Sequence, residues 1–125
     1  MANSNEVIRY SDKELKDFSK IVDDKIAHAT EQLDFFQEQI KAIGQSEESK
    51  LKGLDDGTSS TETERLYSMA NRQKKLIQHL ENAKMRIHNK VYGICRATGK
   101  LISKERLKAV PHATLSIEAK QNQRK

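Results

Sequence analysis

Tryptophan is absent from this chain of 125 residues, and proline and cysteine each occur once. A single cysteine excludes an internal disulfide and any metal site built from several thiolates. One proline and five glycines leave little material for the turns of an all-β fold. Aromatic residues make up 5% of the chain and apolar residues 35%, against 33% charged, which is too little apolar side chain for a large spherical core. No apolar run approaches the ~20 residues of a membrane span. Residues 1–20 are polar and charged rather than of signal-peptide type. The expectation is a soluble, cytoplasmic, mainly helical protein of elongated form, burying a narrow seam.

What is present is charge, unevenly divided. Residues 1–60 hold 8 Lys+Arg and 13 Asp+Glu, whereas residues 61–125 hold 15 and 5. Such a division points either to steering toward a charged partner or to an acidic element pairing internally with a basic one.

The apolar pattern defines two long helices. Ser11 and Glu14 form a capping box, in which the hydroxyl accepts from a free backbone N–H and the carboxylate reaches back. Apolar residues then fall at Leu15, Phe18, Val22, Ile26, Ala29, Leu33, Phe36, Ile40 and Ile43, spaced three or four apart, with one stutter at Val22–Ile26. Gly44 reads as the C-terminal stop. The stretch 44–60, rich in Gly and Ser, reads as a loop. A second start signal, Thr61 with Glu64, precedes the seam Leu66, Met69, Gln73, Leu76, Leu80, Ala83 and Ile87. The lone polar member, Gln73, suits a register-setting role. Two such helices joined by a loop predict an antiparallel coiled-coil hairpin over 11–91, with its tip near 51–58. A small module over 92–121 follows. Tyr92-Gly93 breaks the helix, and Thr98-Gly99 is a turn between Gly93–Ala97 and Leu101–Ser103, which together read as a small hairpin. Pro111 pre-sets a helix over His112 to Gln121. Residues 1–10 read as a loose start.

The block Tyr92-Gly93-x-Cys95-x-x-Thr98-Gly99-x-x-Ile102-x-x-x-Arg106-Leu107-x-Ala109-x-Pro111 resembles the C-terminal zinc-finger segment of the DksA/TraR family of bacterial transcription regulators. That resemblance implies a coiled-coil hairpin followed by a four-cysteine finger and a short helix. It also implies that the four metal positions fall at Cys95, Thr98, Ser116 and Ala119. One thiol, two hydroxyls and a methyl cannot make the tetrahedral donor set zinc requires, and His112 adds only one more ligand. No zinc is expected, and the module must hold by packing among Ile94, Leu101, Ile102, Leu107, Val110, Leu115 and Ile117. Cys95 then reads as a small buried hydrophobe.

Family members insert the hairpin tip into the secondary channel of RNA polymerase, where acidic tip residues act. The family's tip motif, Asp-x-x-Asp-x-Ala, falls here on Lys52, Asp55 and Gly57, with Asp56 as a new acid. The tip is therefore Leu54-Asp55-Asp56-Gly57. Asp-Asp-Gly is also ordinary turn chemistry, so both readings stand. Some members respond to guanosine tetraphosphate through basic residues that map to Val110, Lys120 and His79. Only Lys120 keeps a permanent charge, which argues against nucleotide dependence.

The basic second half admits a phosphate-binding role, but no helix-turn-helix or aromatic platform supports sequence-specific DNA recognition. The four histidines show no ligand spacing, and there is no phosphate-cradling Gly-rich loop or catalytic triad order. An enzyme is not expected. The leading expectation is a monomeric regulator binding RNA polymerase. The rivals are a coiled-coil assembly protein and a nonspecific nucleic-acid binder acting through the basic half.

Overall fold

The computed structural model describes residues 9–50 and 57–123, with side chains described over 9–45 and 61–123. Its elements are α1 (Asp12–Lys50), α2 (Gly57–His88), α3 (Lys104–Ala109) and α4 (Ile117–Gln123). The two long helices pack as a hairpin. The capping box starts α1 as its residues dictate. Glu14 N–H donates to Ser11 Oγ at 3.1 Å, and Ser11 N–H donates to the Glu14 carboxylate at 2.9 Å.

Both inner helix boundaries differ from the expectation. Helix α1 runs through Gly44 to Lys50. Only Gly93 and Gly99 among the described glycines take positive φ, so Gly44 keeps helical geometry and does not cap. A glycine inside a helix costs only about 1 kcal/mol, and the residues that follow are good helix formers. Helix α2 starts at Gly57, ahead of the Thr61 signal, because Thr58 to Ser60 join the helix instead of capping it. The far end of α2 closes with Lys90 in the left-handed region at φ 65°. Val91 N–H reaches Arg86 O at 2.9 Å and Lys90 N–H reaches Ile87 O at 3.0 Å, a Schellman closure usually made by glycine.

Contacts divide the chain into two compact units, residues 26–78 and residues 1–25 with 79–125. In the first, Phe36, Leu66 and Ala70 form a buried cluster on which Leu33, Ile40, Ile43 and Met69 pack. These are seam positions of both helices, Ala70 apart, and each fully buried large side chain contributes about 1.5–3 kcal/mol. In the second, Leu15, Phe18 and Val22 of α1 and Leu80 and Ala83 of α2 are buried, together with Tyr92, Cys95, Ile102, Leu107, Ala113, Leu115 and Ala119.

The second unit also contains Tyr10, only 5% exposed, so this residue is packed where a loose start over 1–10 was expected; residues 1–8 lie outside the described residues. Ile102, Leu107 and Leu115 are core as expected, whereas Leu101 and Ile117 are exposed and correct that expectation. The small hairpin is reduced to one antiparallel bridge, Ile94 with Leu101.

Here the division of charge has a structural outlet. Lys84 pairs with Asp23 at 2.9 Å, Lys90 with Asp12 at 3.2 Å and Lys104 with Glu14 at 2.6 Å. All are solvent-exposed, so water and salt screen them and each adds little to stability. They join the acidic start of α1 to the basic second half.

Candidate functional site

The loop after α2 turns because of its glycines. Gly93 and Gly99 take φ of +79° and +76°. Ile102 N–H donates to Gly93 O at 2.7 Å and Cys95 N–H to Lys100 O at 2.8 Å, which folds 93–102 back on itself. Ser103 then caps α3, accepting from Arg106 N–H at 3.2 Å. The sequence reading missed this helix, although Ser103 ahead of Glu105, Arg106 and Leu107 is its signal.

Pro111 does not open a helix. Ala113 N–H donates to Val110 O at 3.0 Å, so Pro111 occupies the second position of a tight turn. The helix begins at Ile117 instead, because Ser116 caps it. Its hydroxyl accepts from Ala119 N–H at 3.1 Å and its carbonyl from Lys120 N–H at 2.9 Å.

Of the four expected metal positions, these turns bring Cys95 and Ser116 together, with Thr98 beside the thiol and Ala119 bonded to Ser116 through its N–H. Cys95 is fully buried. Ser116 N–H lies 3.4 Å from Cys95 Sγ and Ser116 Oγ lies 3.8 Å from it. Burial alone raises the thiol's pKa. The polar hydrogens of Thr98, Ser116 and Ala97 around the sulfur, the donating Ser116 N–H among them, outweigh burial and bring it down to about 6. Cys95 is thus buried as expected and is also a hydrogen-bond acceptor at the centre of the turn. Ala119, 7% exposed, offers only its methyl.

Three arginines of this unit donate to the segment 112–115, two to its carbonyls and one to a side-chain hydroxyl. Arg106 Nε donates to Leu115 O at 2.8 Å, Arg86 donates to His112 O at 3.4 Å, and Arg96 Nε donates to Thr114 Oγ1 at 3.3 Å. Three arginines therefore staple the segment 112–115. His79 and His112 stack with ring centroids 5.4 Å apart and planes 10° from parallel. His112 Nδ1 is buried and has no hydrogen-bond partner among the described residues. Lys120 is exposed. Leu54, Asp55 and Asp56 lie outside the described residues, and Gly57 opens α2.

The histidine stack makes acid sensitivity predictable. Burial lowers the His112 pKa below 6.5, and His79 and Arg86 of α2, Arg106 of α3 and Lys120 of α4 lower it further. A histidine depressed in the folded state stabilises the fold fully above 6.5 and loses that contribution as pH falls through the folded pKa. Glu14, held down to about 2 by the Lys104 ammonium and Ser11, gives way in a separate window, between 4.5 and about 2. The melting temperature is expected to fall on mild acidification just below about pH 6.5. His112→Phe should flatten that fall, and an unchanged pH profile in the variant would refute the assignment.

Residues 90–123 match the family described as the prokaryotic dksA/traR C4-type zinc finger. Over 65 residues the chain is 40% identical to a protein of Caulobacter vibrioides named RNA polymerase-binding transcription factor DksA, a match covering 50% of this chain and 46% of that protein. It is 32% identical over 65 residues to General stress protein 16O of Bacillus subtilis, covering 52% of this chain and 40% of the relative. The matched stretch thus spans about half the length of these curated relatives. Among solved structures, that of transcription factor DksA2 from Pseudomonas aeruginosa superposes with a TM-score of 0.55 at 26% identity, covering 84% of both chains.

The residues present do not fit the metal that a C4 finger implies. A thiol, two hydroxyls and a methyl stand at the four positions. Among the described residues no three His, Cys, Asp or Glu side chains converge on a metal-sized space. The hairpin, the finger frame that follows it and the likeness to DksA2 place this chain in the DksA/TraR family, with a finger that lacks three of its four cysteines.

Proposed function

We propose that this chain regulates transcription by binding RNA polymerase and directing the connection between α1 and α2 into the enzyme's secondary channel. The observation that carries this reading is the 40% identity over 65 residues to a protein named as an RNA polymerase-binding transcription factor. The helical hairpin that the chain shares with DksA2 supports it. In this mechanism Asp55 and Asp56, with Leu54 and Gly57 beside them, supply steric bulk and negative charge near the polymerase active site. The chain carries out no chemistry of its own.

The test is capture by core RNA polymerase together with promoter-specific transcription, comparing wild type with Asp55→Asn/Asp56→Asn. The wild type binds at micromolar concentration and changes promoter output, and the double variant binds without that change. A variant that regulates like wild type would remove the tip mechanism and leave the partner. Failure of wild type to bind polymerase would remove the reading.

The finger in this proposal folds without zinc, because Thr98 and Ser116 stand where the resemblance puts two of the cysteine ligands, and Ser116 N–H donates to Cys95 Sγ. Purified chain is expected to hold substoichiometric zinc and to melt at the same temperature with and without a chelator. One zinc per chain by elemental analysis would overturn it. Guanosine tetraphosphate linkage is not part of the proposal. Val110 is uncharged, His79 is stacked on His112, and Lys120 alone keeps a permanent charge.

Pairing of Lys84, Lys90 and Lys104 with α1, and use of Arg86, Arg96 and Arg106 as internal donors, weighs against the nonspecific nucleic-acid reading.

A further inference from the structure

A finger without a metal has lost its strongest cross-link, and a loop as short as 92–103 with a single bridge cannot hold itself in water. Something outside the finger must hold it. The residue in position to do so is Tyr10, from the segment before α1.

Its hydroxyl donates to the carbonyl of Ile102, at the return end of the loop. Its ring meets Phe18 of α1 edge-on, with centroids 5.3 Å apart, and Phe18 in turn meets Tyr92 at 5.2 Å. At the outgoing end of the loop it packs closely against Gly93. A methyl placed there would come within 2.7 Å of Tyr10 Cε2. One side chain therefore touches α1 and both ends of the loop. Arg9, beside it, donates to the Tyr10 carbonyl and pairs with Asp12, both at 3.2 Å, which fixes the backbone entering α1.

We propose that Tyr10 is a latch that keeps the loop 92–103 closed on α1, doing by packing and one hydrogen bond what a metal does in a four-cysteine finger. The inference is independent of the polymerase reading, since it concerns only how the module stays folded. It follows that Arg9 and Tyr10, ahead of the α1 cap, are part of the finger module, and that opening of the loop is controlled from a residue more than 80 positions before it.

Trypsin digestion of the full native chain tests it, following cleavage after Arg96, Lys100 and Lys104. Proteolysis of a transiently opened segment tracks the population of its open form. Tyr10→Ala is expected to raise that cleavage about tenfold or more, equivalent to about 1.4 kcal/mol of lost closure. Tyr10→Phe keeps the ring and loses the hydroxyl, so its increase should be smaller, on the order of threefold.

Nitration of the unmodified native chain gives a reading that needs no variant. Tyr67, 54% exposed, should react while Tyr10 and Tyr92 are protected. Cleavage of Tyr10→Ala at the wild-type rate, or Tyr10 nitrating as fast as Tyr67, overturns the latch. Should Tyr10→Ala fail to fold at all, the Tyr10→Phe increase and the nitration pattern decide.

Discussion

Gly93→Ala should destabilise the protein by about 2–5 kcal/mol, from two separable causes. The first is conformational. Gly93 sits at φ +79°, and an L-residue in the left-handed region costs roughly 1–2 kcal/mol. The second is steric. The new methyl would meet Tyr10 Cε2 at 2.7 Å, Tyr10 Cδ2 at 2.8 Å and Leu107 Cδ1 at 3.1 Å. Both neighbours are buried, so neither can swing into solvent, and overpacking of this kind costs about 1–3 kcal/mol.

Gly99→Ala is the internal control. Its φ is +76°, yet nothing lies within 4 Å of the added carbon. It should cost only the conformational part, roughly 1–2 kcal/mol. Urea unfolding of the two variants separates the causes. Equal losses would show that the contact of Tyr10 with Gly93 carries no weight.

The second large effect is expected at Tyr92. This residue is fully buried, packs on Phe18, and donates its hydroxyl to Pro111 O at 2.8 Å. Tyr92→Ala removes a ring from a filled space and should cost about 3–5 kcal/mol. Tyr92→Phe keeps the ring but leaves the Pro111 carbonyl, inside the protein, without that donor, at a cost of about 1–3 kcal/mol.

The hydroxyl also predicts a response to alkali. Burial raises the Tyr92 pKa far above 10.0, more than the nearby Arg86 charge lowers it. A group raised in the folded state stabilises fully below its unfolded pKa, and that contribution is lost as pH climbs past 10. Wild type should therefore weaken above pH 10 more steeply than Tyr92→Phe. Tyr10, also raised by burial, contributes a residual slope. Parallel alkaline curves for the two proteins would refute the assignment.

How the residues encode this structure can be judged element by element. The capping box at Ser11 and Glu14 was legible because it is local, with donor and acceptor three residues apart. The seam from Leu15 to Ile43 was legible because helical periodicity needs no partner to be seen. Every one of its positions is buried or half-buried. The finger positions Cys95, Thr98, Ser116 and Ala119 were legible only against the family's pattern, since their spacing carries no metal chemistry of its own.

Helix ends were less legible. Gly44 looked like a stop, but a stop requires a left-handed backbone and tertiary surroundings that end the helix. Pro111 fits a helix start and a tight turn equally well, and the Ser116 cap five residues later decided between them. Tyr10 was hidden in a stretch that reads as polar. Its one local signal is the pairing of an apolar residue before the cap with Leu15 four residues into the helix, a hydrophobic staple.

The two amphipathic helices and the loss of the metal ligands were set by the order of residues alone, since period and donor chemistry are properties of the chain. Which arginines would donate to the segment 112–115, that His79 would lie on His112, and that Tyr10 would close the loop were decided only when residues 9 to 92 positions apart met. Those contacts depend on distance in space, and no pattern of neighbours along the chain records it.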